Sequence, residues 1–149
     1  MIGPPLVDPV VVCVAYAEAA SSFDAASSFA GQARHQAAQR YGTPALQARY
    51  AAGTGGRDRQ HELWQQRGAH VTGQATPLQD IRGDEQPVAH APDVAEASVS
   101  VQVTARAAGG WTDQATPYRL DCQLQADSRA GWLVDDVFVE ALAPVPATG

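Results

Sequence analysis

The adjacent carboxylates Asp135 and Asp136 are the residues of this chain that most resemble a device for acid–base chemistry. Such a device needs both side chains in one pocket, within hydrogen-bonding reach of the reacting group. Neighbouring residues on a regular strand point to opposite faces, so these two share a pocket only if a bulge interrupts the strand. The sequence therefore favours a solvated bulge. The alternative is that one Asp enters a cavity as a general base.

The other chemistry-bearing residues form no recognisable motif. The four histidines are scattered and none belongs to an HExxH-type pair. Cys13 and Cys122 are too distant in sequence for a CxxC site, and we expect two buried thiols, because a disulfide would need export and a close approach of the two backbones. We therefore predict no catalytic residue, no metal site and no cofactor.

Size and charge exclude several classes of protein. The 149 residues suffice for one domain with a core, and 45% of them are hydrophobic. The net charge of -6 argues against a nucleic-acid partner, since phosphate binding needs clustered basic residues. No run of about 18 apolar residues is present, so we predict no membrane span in this chain. The apolar segment 10–15 lacks a preceding basic region and is interpreted as the start of a helix.

The first half of the domain has the pattern of helices. Asp8-Pro9 supplies a cap and a first-turn proline, and apolar residues then recur at helical spacing to about Tyr41, which predicts one long helix that Gly31 interrupts or bends. Thr43-Pro44 begins a second helix. A third spans residues 57–67 and ends at Gly68. We assign residues 1–9 and 143–149 to tails and residues 10–142 to a single domain.

The second half alternates with a period of two, which is typical of strands. We predict strands at 70–81, 94–106, 118–126 and 132–139, with Pro77 confining the first to an edge or bulged position. A bulge at Asp135-Asp136 would place Trp132, Val134, Val137 and Val139 on one face. The residues expected to be buried against the long helix are Val99, Val101, Val103, Leu120, Cys122, Leu124, Trp132 and Val137.

Helices followed by about four antiparallel strands make an α+β fold. The helical segment Phe29–Tyr50 and the closing Gly131-Trp132-Leu133-Val134-Asp135-Asp136-Val137 resemble the cone-shaped nuclear transport factor 2-like (cystatin-like) superfamily. An unbroken meander after the helices is most similar to scaffold domains of type IV secretion and conjugation machines and to actinobacterial Mce-associated proteins. That resemblance implies a non-enzymatic assembly module, usually tethered by an N-terminal membrane helix that this sequence does not contain.

Two functional hypotheses follow. The first is a protein-interaction domain that self-associates or joins an actinobacterial-type conjugation or cell-envelope transfer system, with Trp111 and Phe138 as anchors, because large aromatic side chains dominate interface energies. The second is a binder of a small apolar ligand, or an isomerase-, dehydratase- or cyclase-like enzyme that uses Asp135, Asp136 and Tyr41 in the cone. Aromatic residues available to line that cone are Tyr16, Tyr41, Trp64, Trp111 and Tyr118.

The location of the protein depends on its N-terminus. We expect it in the cytoplasm if the sequence is complete as given, and outside the cytoplasm if an N-terminal anchor is missing.

Overall fold

The helices lie on the concave face of a curled antiparallel sheet. A computed structural model describes residues 8–28, 30–50, 59–78, 93–127 and 131–141. The helices are α1 (Pro9–Ala20), α2 (Ala30–Tyr41), α3 (Pro44–Arg49) and α4 (Arg59–Arg67). The strands are β1 (Phe23–Asp24), β2 (His70–Pro77), β3 (Val94–Ala107), β4 (Trp111–Gln114), β5 (Tyr118–Asp127) and β6 (Gly131–Ala141). The α+β class is confirmed.

The single long helix predicted from residue 8 to about Tyr41 is wrong, because the chain forms two helices joined through β1. The Ser21 hydroxyl donates to Ala17 O at 2.6 Å, which ends α1. Asp24 Oδ1 then accepts from the backbone N–H of Ala26 at 3.0 Å, a local turn that competes with helix. Gly31 lies within α2 and does not break it.

The two following helices agree with the sequence. Thr43 Oγ1 accepts from the N–H of Leu46 at 3.3 Å, so Thr43 caps α3 and Pro44 opens it. Gly68 has a φ of +63° just after α4, the conformation that favours glycine at a helix end. The glycine-rich segment 53–56 lies outside the described residues, as do the turn at 82–92, residues 1–7 of the first predicted tail and the whole of the second. Asp8 and Pro9, assigned to the first tail, are the cap and the first residue of α1.

The sheet order is β1-β2-β3-β5-β6. The short strand β4 pairs with residues 104–107 of β3, beyond the stretch 94–101 that pairs with β5. Four long strands match the four predicted, and β1 and β4 are short additions. Pro77 is the last residue of β2, and the outer side of that strand is covered by two residues of β1 and by side chains from the α1 end. The N–H of Gly73 donates to Ser22 Oγ at 3.0 Å and the N–H of Ala75 to Glu18 Oε2 at 3.2 Å.

The core forms where α1 crosses β2 and β3. Seven of the eight residues predicted to be buried are 7% exposed or less, and Trp132 is half-buried at the core margin. The strand bulge is confirmed: Leu124 pairs with Val134 and Gln123 with Asp136, which leaves Asp135 as the extra residue. Val139 lies on the expected face, opposite Leu120, where it lines the cavity between helices and sheet and is 65% exposed.

Cys13 and Cys122 form a disulfide, which corrects the expectation of two free thiols. Helix α1 crosses β5 closely enough to bring their Cα atoms to 6.0 Å, within the usual range for a disulfide. Both residues are buried, so the bond joins the helical layer to the sheet inside the core.

Candidate functional site

A half-open cavity of about 360 Å³ lies between the helices and the concave face of the sheet. Its walls come from α1, the β1 region, α2, the end of α3, α4, and strands β3, β5 and β6. Three of the five aromatic residues expected at a cone cavity do line it, namely Tyr16, Trp64 and Tyr118. Tyr41 and Trp111 are not among its lining residues.

One wall of the cavity carries a group of hydroxyls that we call the phenol cluster: Tyr16, Tyr50, Tyr118 and Ser21. Tyr50 lies close enough to Tyr16 to raise the pKa of its hydroxyl, and the Ser21 hydroxyl lies close enough to Tyr118 to lower the pKa of that phenol. Tyr16 comes from α1, Tyr50 follows α3, and Tyr118 begins β5, so three distant segments meet here. The phenol cluster is therefore a product of the tertiary fold.

Burial keeps the Tyr16 and Tyr118 hydroxyls protonated. Desolvation raises the pKa of Tyr16, and the neighbouring Tyr50 raises it further. Desolvation likewise raises the pKa of Tyr118, while the positive charge of Arg34 opposes this shift. At neutral pH the Tyr16 and Tyr118 hydroxyls are therefore neutral.

Another part of the cavity lining is aromatic. The Phe23 and His61 rings stack with centroids 6.0 Å apart, and the Phe23 and Trp64 centroids are 6.5 Å apart. The Trp64 indole Nε1–H donates to Asp113 Oδ2 at 2.8 Å, which fixes the ring from outside the cavity. This anchoring gives the aromatic wall a defined shape.

The bulge carboxylates lie elsewhere and do not line the cavity. Thr43 Oγ1 donates to Asp135 Oδ1 at 2.8 Å, and the Arg49 guanidinium forms an ion pair with Asp136. Tyr41 is half-buried beneath the Arg40 side chain, whose guanidinium carbon is 5.3 Å from the ring centroid. The structure therefore ties Asp135 and Asp136 to the α3 region and does not bring them together with Tyr41 around a pocket.

The two proposed anchor residues differ in exposure. Phe138 is 51% exposed on β6, which forms one edge of the sheet among the described strands. Trp111 is half-buried, packs at the core margin, and has the Arg67 guanidinium carbon 5.2 Å from its ring centroid. Phe138 is thus the better exposed of the two, and the assignment of both as interaction residues stays a prediction.

Sequence reasoning missed Phe23, Arg34, Tyr50 and His61 as lining residues. Phe23 and Arg34 lie within the segment predicted as one long helix, and no local pattern at Tyr50 or His61 marks a cavity. Only the pairing of β1 with β2 and the return of the chain after α3 bring them to the same space. Within the described ranges, no three His, Cys, Asp or Glu side chains are grouped so that they could hold a metal ion.

None of the described helices has the length and apolar character needed to cross a membrane. No protein-family model matches the sequence, and no curated protein matches it. The fold, however, is similar to solved structures.

One similar structure is an IcmL-like type IV secretion system protein from Legionella pneumophila, with a TM-score of 0.63 and 16% identity over 96% of this chain and 98% of that one. Another is CagV, a VirB8 homolog of the type IV secretion system of Helicobacter pylori, with a TM-score of 0.56 and 11% identity over 90% of this chain and 97% of that one. The chain therefore has the nuclear transport factor 2-like fold expected from its sequence, in the form found in these type IV secretion proteins.

Proposed function

We propose that this protein is a non-catalytic assembly domain of a type IV secretion or conjugation machine in the cell envelope. The observation that carries the proposal is the match to two type IV secretion proteins over nearly the full length of both chains in each pair. All ten basic residues are Arg, a bias typical of a GC-rich genome, and this supports an actinobacterial-type system.

The disulfide supports a location outside the cytoplasm. Disulfides persist in oxidising compartments and are rare where thiols are kept reduced. The Cys13–Cys122 bond lies inside the core, where it contributes to the fold rather than to surface chemistry. A disulfide in the core is therefore consistent with a component that works in the cell envelope, outside the cytoplasm.

The positions of the acidic residues favour assembly over catalysis. An isomerase- or dehydratase-like mechanism needs a base directed at the bound substrate. Among the described residues that line the cavity there is no carboxylate, and Asp135 and Asp136 are engaged by Thr43 and Arg49. Neither Asp135 nor Asp136, the carboxylates suggested by the sequence as a general base, is therefore placed to act on a substrate bound in the cavity.

Phe138 is the residue we propose as the centre of the docking surface. It faces away from the core because its neighbour Val137 is buried, and it pairs across the sheet with Asp121. Asp121 is itself fixed by Ser98 at 2.5 Å and by Arg119 at 2.8 Å. An exposed ring beside a rigid polar group on an edge strand combines an apolar centre with a polar rim, as protein interfaces do.

Transfer assays in cells test this proposal. In a strain from which the gene is deleted, we expect the frequency of DNA or protein transfer to fall and to recover with the wild-type gene. Phe138→Asp should fail to restore transfer although the protein accumulates normally. Leu63→Asp is the matched control, because Leu63 is also an exposed apolar residue, at 39%, but lies on α4.

Recovery of transfer by Phe138→Asp would show that the docking surface lies elsewhere. Unchanged transfer in the deletion strain would contradict the proposed function itself.

A further inference from the structure

The two edges of the sheet differ in how far they are covered. At one edge, β1 and side chains from the end of α1 occupy the outer side of β2. At the other edge, the α3 region covers the first part of β6. The N–H of Thr43 donates to Val134 O at 2.9 Å, and the Arg49 guanidinium donates to Val137 O at 3.4 Å. Among the described strands, none lies beside residues 138–141 of β6 on this outer side.

This open part of β6 is apolar on both faces of the sheet. Phe138 is exposed on the convex face, and Val139 is exposed on the concave face at the cavity. Its charged residue, Glu140, lies opposite Arg119 of β5. Natural edge strands are commonly protected by Lys or Pro, and residues 138–141 contain neither. An edge of this kind is a template for a further strand.

The backbone groups available on this edge belong to alternate residues. The N–H and C=O of one residue in an antiparallel strand point to the same side, and those of the next residue point to the other. Val137 O points outward, because it accepts from Arg49. The N–H and C=O of Val139 therefore point outward too, as do those of Ala141, whereas those of Phe138 point toward β5.

We infer that β6 pairs with β6 of a second copy of this chain, antiparallel and about a twofold axis at Val139. Twofold dimers are the commonest assemblies, and an antiparallel pair of identical strands has that symmetry. Val139 then exchanges two backbone hydrogen bonds with Val139 of the second copy, and the two sheets join into one. This inference rests on the assembly function proposed above, and it names a second copy as the partner at the docking surface around Phe138.

Charge selects this register from its neighbours. With the axis at Val139, Phe138 lies opposite Glu140 of the second copy and no two carboxylates face each other. An axis at Glu140 would place the two Glu140 side chains opposite each other. An axis at Phe138 would place Glu140 opposite Asp136. Like charges directly opposite each other destabilise a sheet, so the axis at Val139 is favoured.

Cysteine cross-linking of the purified full chain tests the pairing. With the axis at Val139, the two Cα atoms of this residue lie about 5.5 Å apart, a distance that a disulfide spans. Val139→Cys should therefore form a covalent dimer on treatment with oxidised glutathione, seen on a non-reducing gel. Leu63→Cys is the matched control, because Leu63 is exposed on α4, and it should stay monomeric. The native Cys13–Cys122 bond is buried and does not exchange.

A mixture of two variants tests the register. Phe138 and Glu140 of the second copy face each other with Cα atoms about 4.5 Å apart, whereas the two copies of either residue are about 7–8 Å apart. Phe138→Cys and Glu140→Cys should therefore form a covalent dimer when mixed and not when either is oxidised alone. A covalent dimer of one of these variants alone would overturn the register.

A backbone substitution separates strand pairing from docking through side chains alone. Val139→Pro removes the outward N–H, at a position where an edge strand accepts proline. Analytical ultracentrifugation should show self-association weakened about tenfold or more, because two hydrogen bonds per dimer are lost. Val139→Thr is the matched control, because it keeps the N–H and the β-branched shape, and it should associate nearly as well as the wild type. If Val139→Pro does not fold, the cross-linking of Val139→Cys decides.

Two further results would overturn the inference. One is the absence of a covalent Val139→Cys dimer under conditions in which the control also stays monomeric. The other is unchanged self-association of a folded Val139→Pro protein. Neither result alters the proposed assembly function, which transfer in the deletion strain tests separately.

Discussion

The Cys13–Cys122 bond closes a loop of 109 residues and so constrains most of the chain. Replacing both residues by Ala should lower the free energy of unfolding by about 4 kcal/mol, since a cross-link over a loop of this length removes much conformational entropy from the unfolded state. Equilibrium unfolding in guanidinium chloride measures the loss. A reducing agent should lower the stability of the wild type toward that of the variant. The bond does not form in solution if neither the reducing agent nor the double substitution changes the guanidinium chloride concentration at the unfolding midpoint.

Tyr16 gives the stability a dependence on high pH. Burial raises its pKa in the folded state above the value in the unfolded chain, so the folded state holds its proton longer. The resulting contribution to stability is complete below about pH 10 and is lost as the pH rises further. As the pH is raised beyond about 10, the denaturant concentration at the unfolding midpoint should decrease. This decrease should be less steep in Tyr16→Phe.

The matched control for this pH dependence is Tyr41→Phe, because Tyr41 does not line the cavity. Its midpoint should fall with pH as steeply as that of the wild type. Equal slopes for all three proteins would contradict the burial of the Tyr16 hydroxyl.

Gly73 governs how closely helix α1 approaches strand β2, which is a matter of element packing. A Cβ atom at this position would overlap the Ser21 side chain at the end of α1. Gly73→Ala should therefore destabilise the protein by about 1–3 kcal/mol, the usual cost of overpacking, in thermal or chemical unfolding. Gly109→Ala is the control for this effect. A Cβ atom at position 109 has no atom within 4 Å, but the φ of +80° is unfavourable for Ala, so any loss of stability there reports backbone strain and not atomic overlap. A Gly73→Ala protein as stable as the wild type would show that α1 can move off the sheet.

The elements themselves were predictable to very different degrees. The alternation in 94–106 and 118–126 identified β3 and β5 and their buried faces, because one side of each strand packs on the helices. The division of the first helix was missed because the apolar residues keep helical spacing across the break, while Ser21 and Asp24 form local hydrogen bonds that end it. The two short strands β1 and β4 have too few residues to show a period.

The cavity was predictable only in part. Tyr16, Trp64 and Tyr118 were expected there from the fold that the sequence resembles. Arg34 and Tyr50 become neighbours of these residues only when α2 and α3 turn back over the sheet, and no local pattern encodes that return. The bulge at Asp135 was predicted from strand parity, but its binding to Thr43 depends on the contact of α3 with β6.

The molecule as a whole is expected to associate in solution. An acidic domain with Phe138 exposed on an edge strand should form a weak dimer through that edge or bind a partner there. Light scattering over a series of protein concentrations should show the apparent mass rising with concentration, and Phe138→Asp should remove the rise. Leu63→Asp should retain it. If the wild type keeps the mass of a monomer up to the highest concentration, it does not self-associate through this edge. The edge would then have to bind a different protein.

Site-specific photo-crosslinking in cells tests the central claim of an assembly domain most directly. A photoreactive phenylalanine analogue replaces Phe138 in one strain and Leu63 in another, and the adducts are identified by mass spectrometry. The account predicts that position 138 forms an adduct with a second copy of the chain or with another component of the envelope transfer machine, while position 63 does not. Absence of an adduct at position 138 in cells that carry out transfer normally would contradict it.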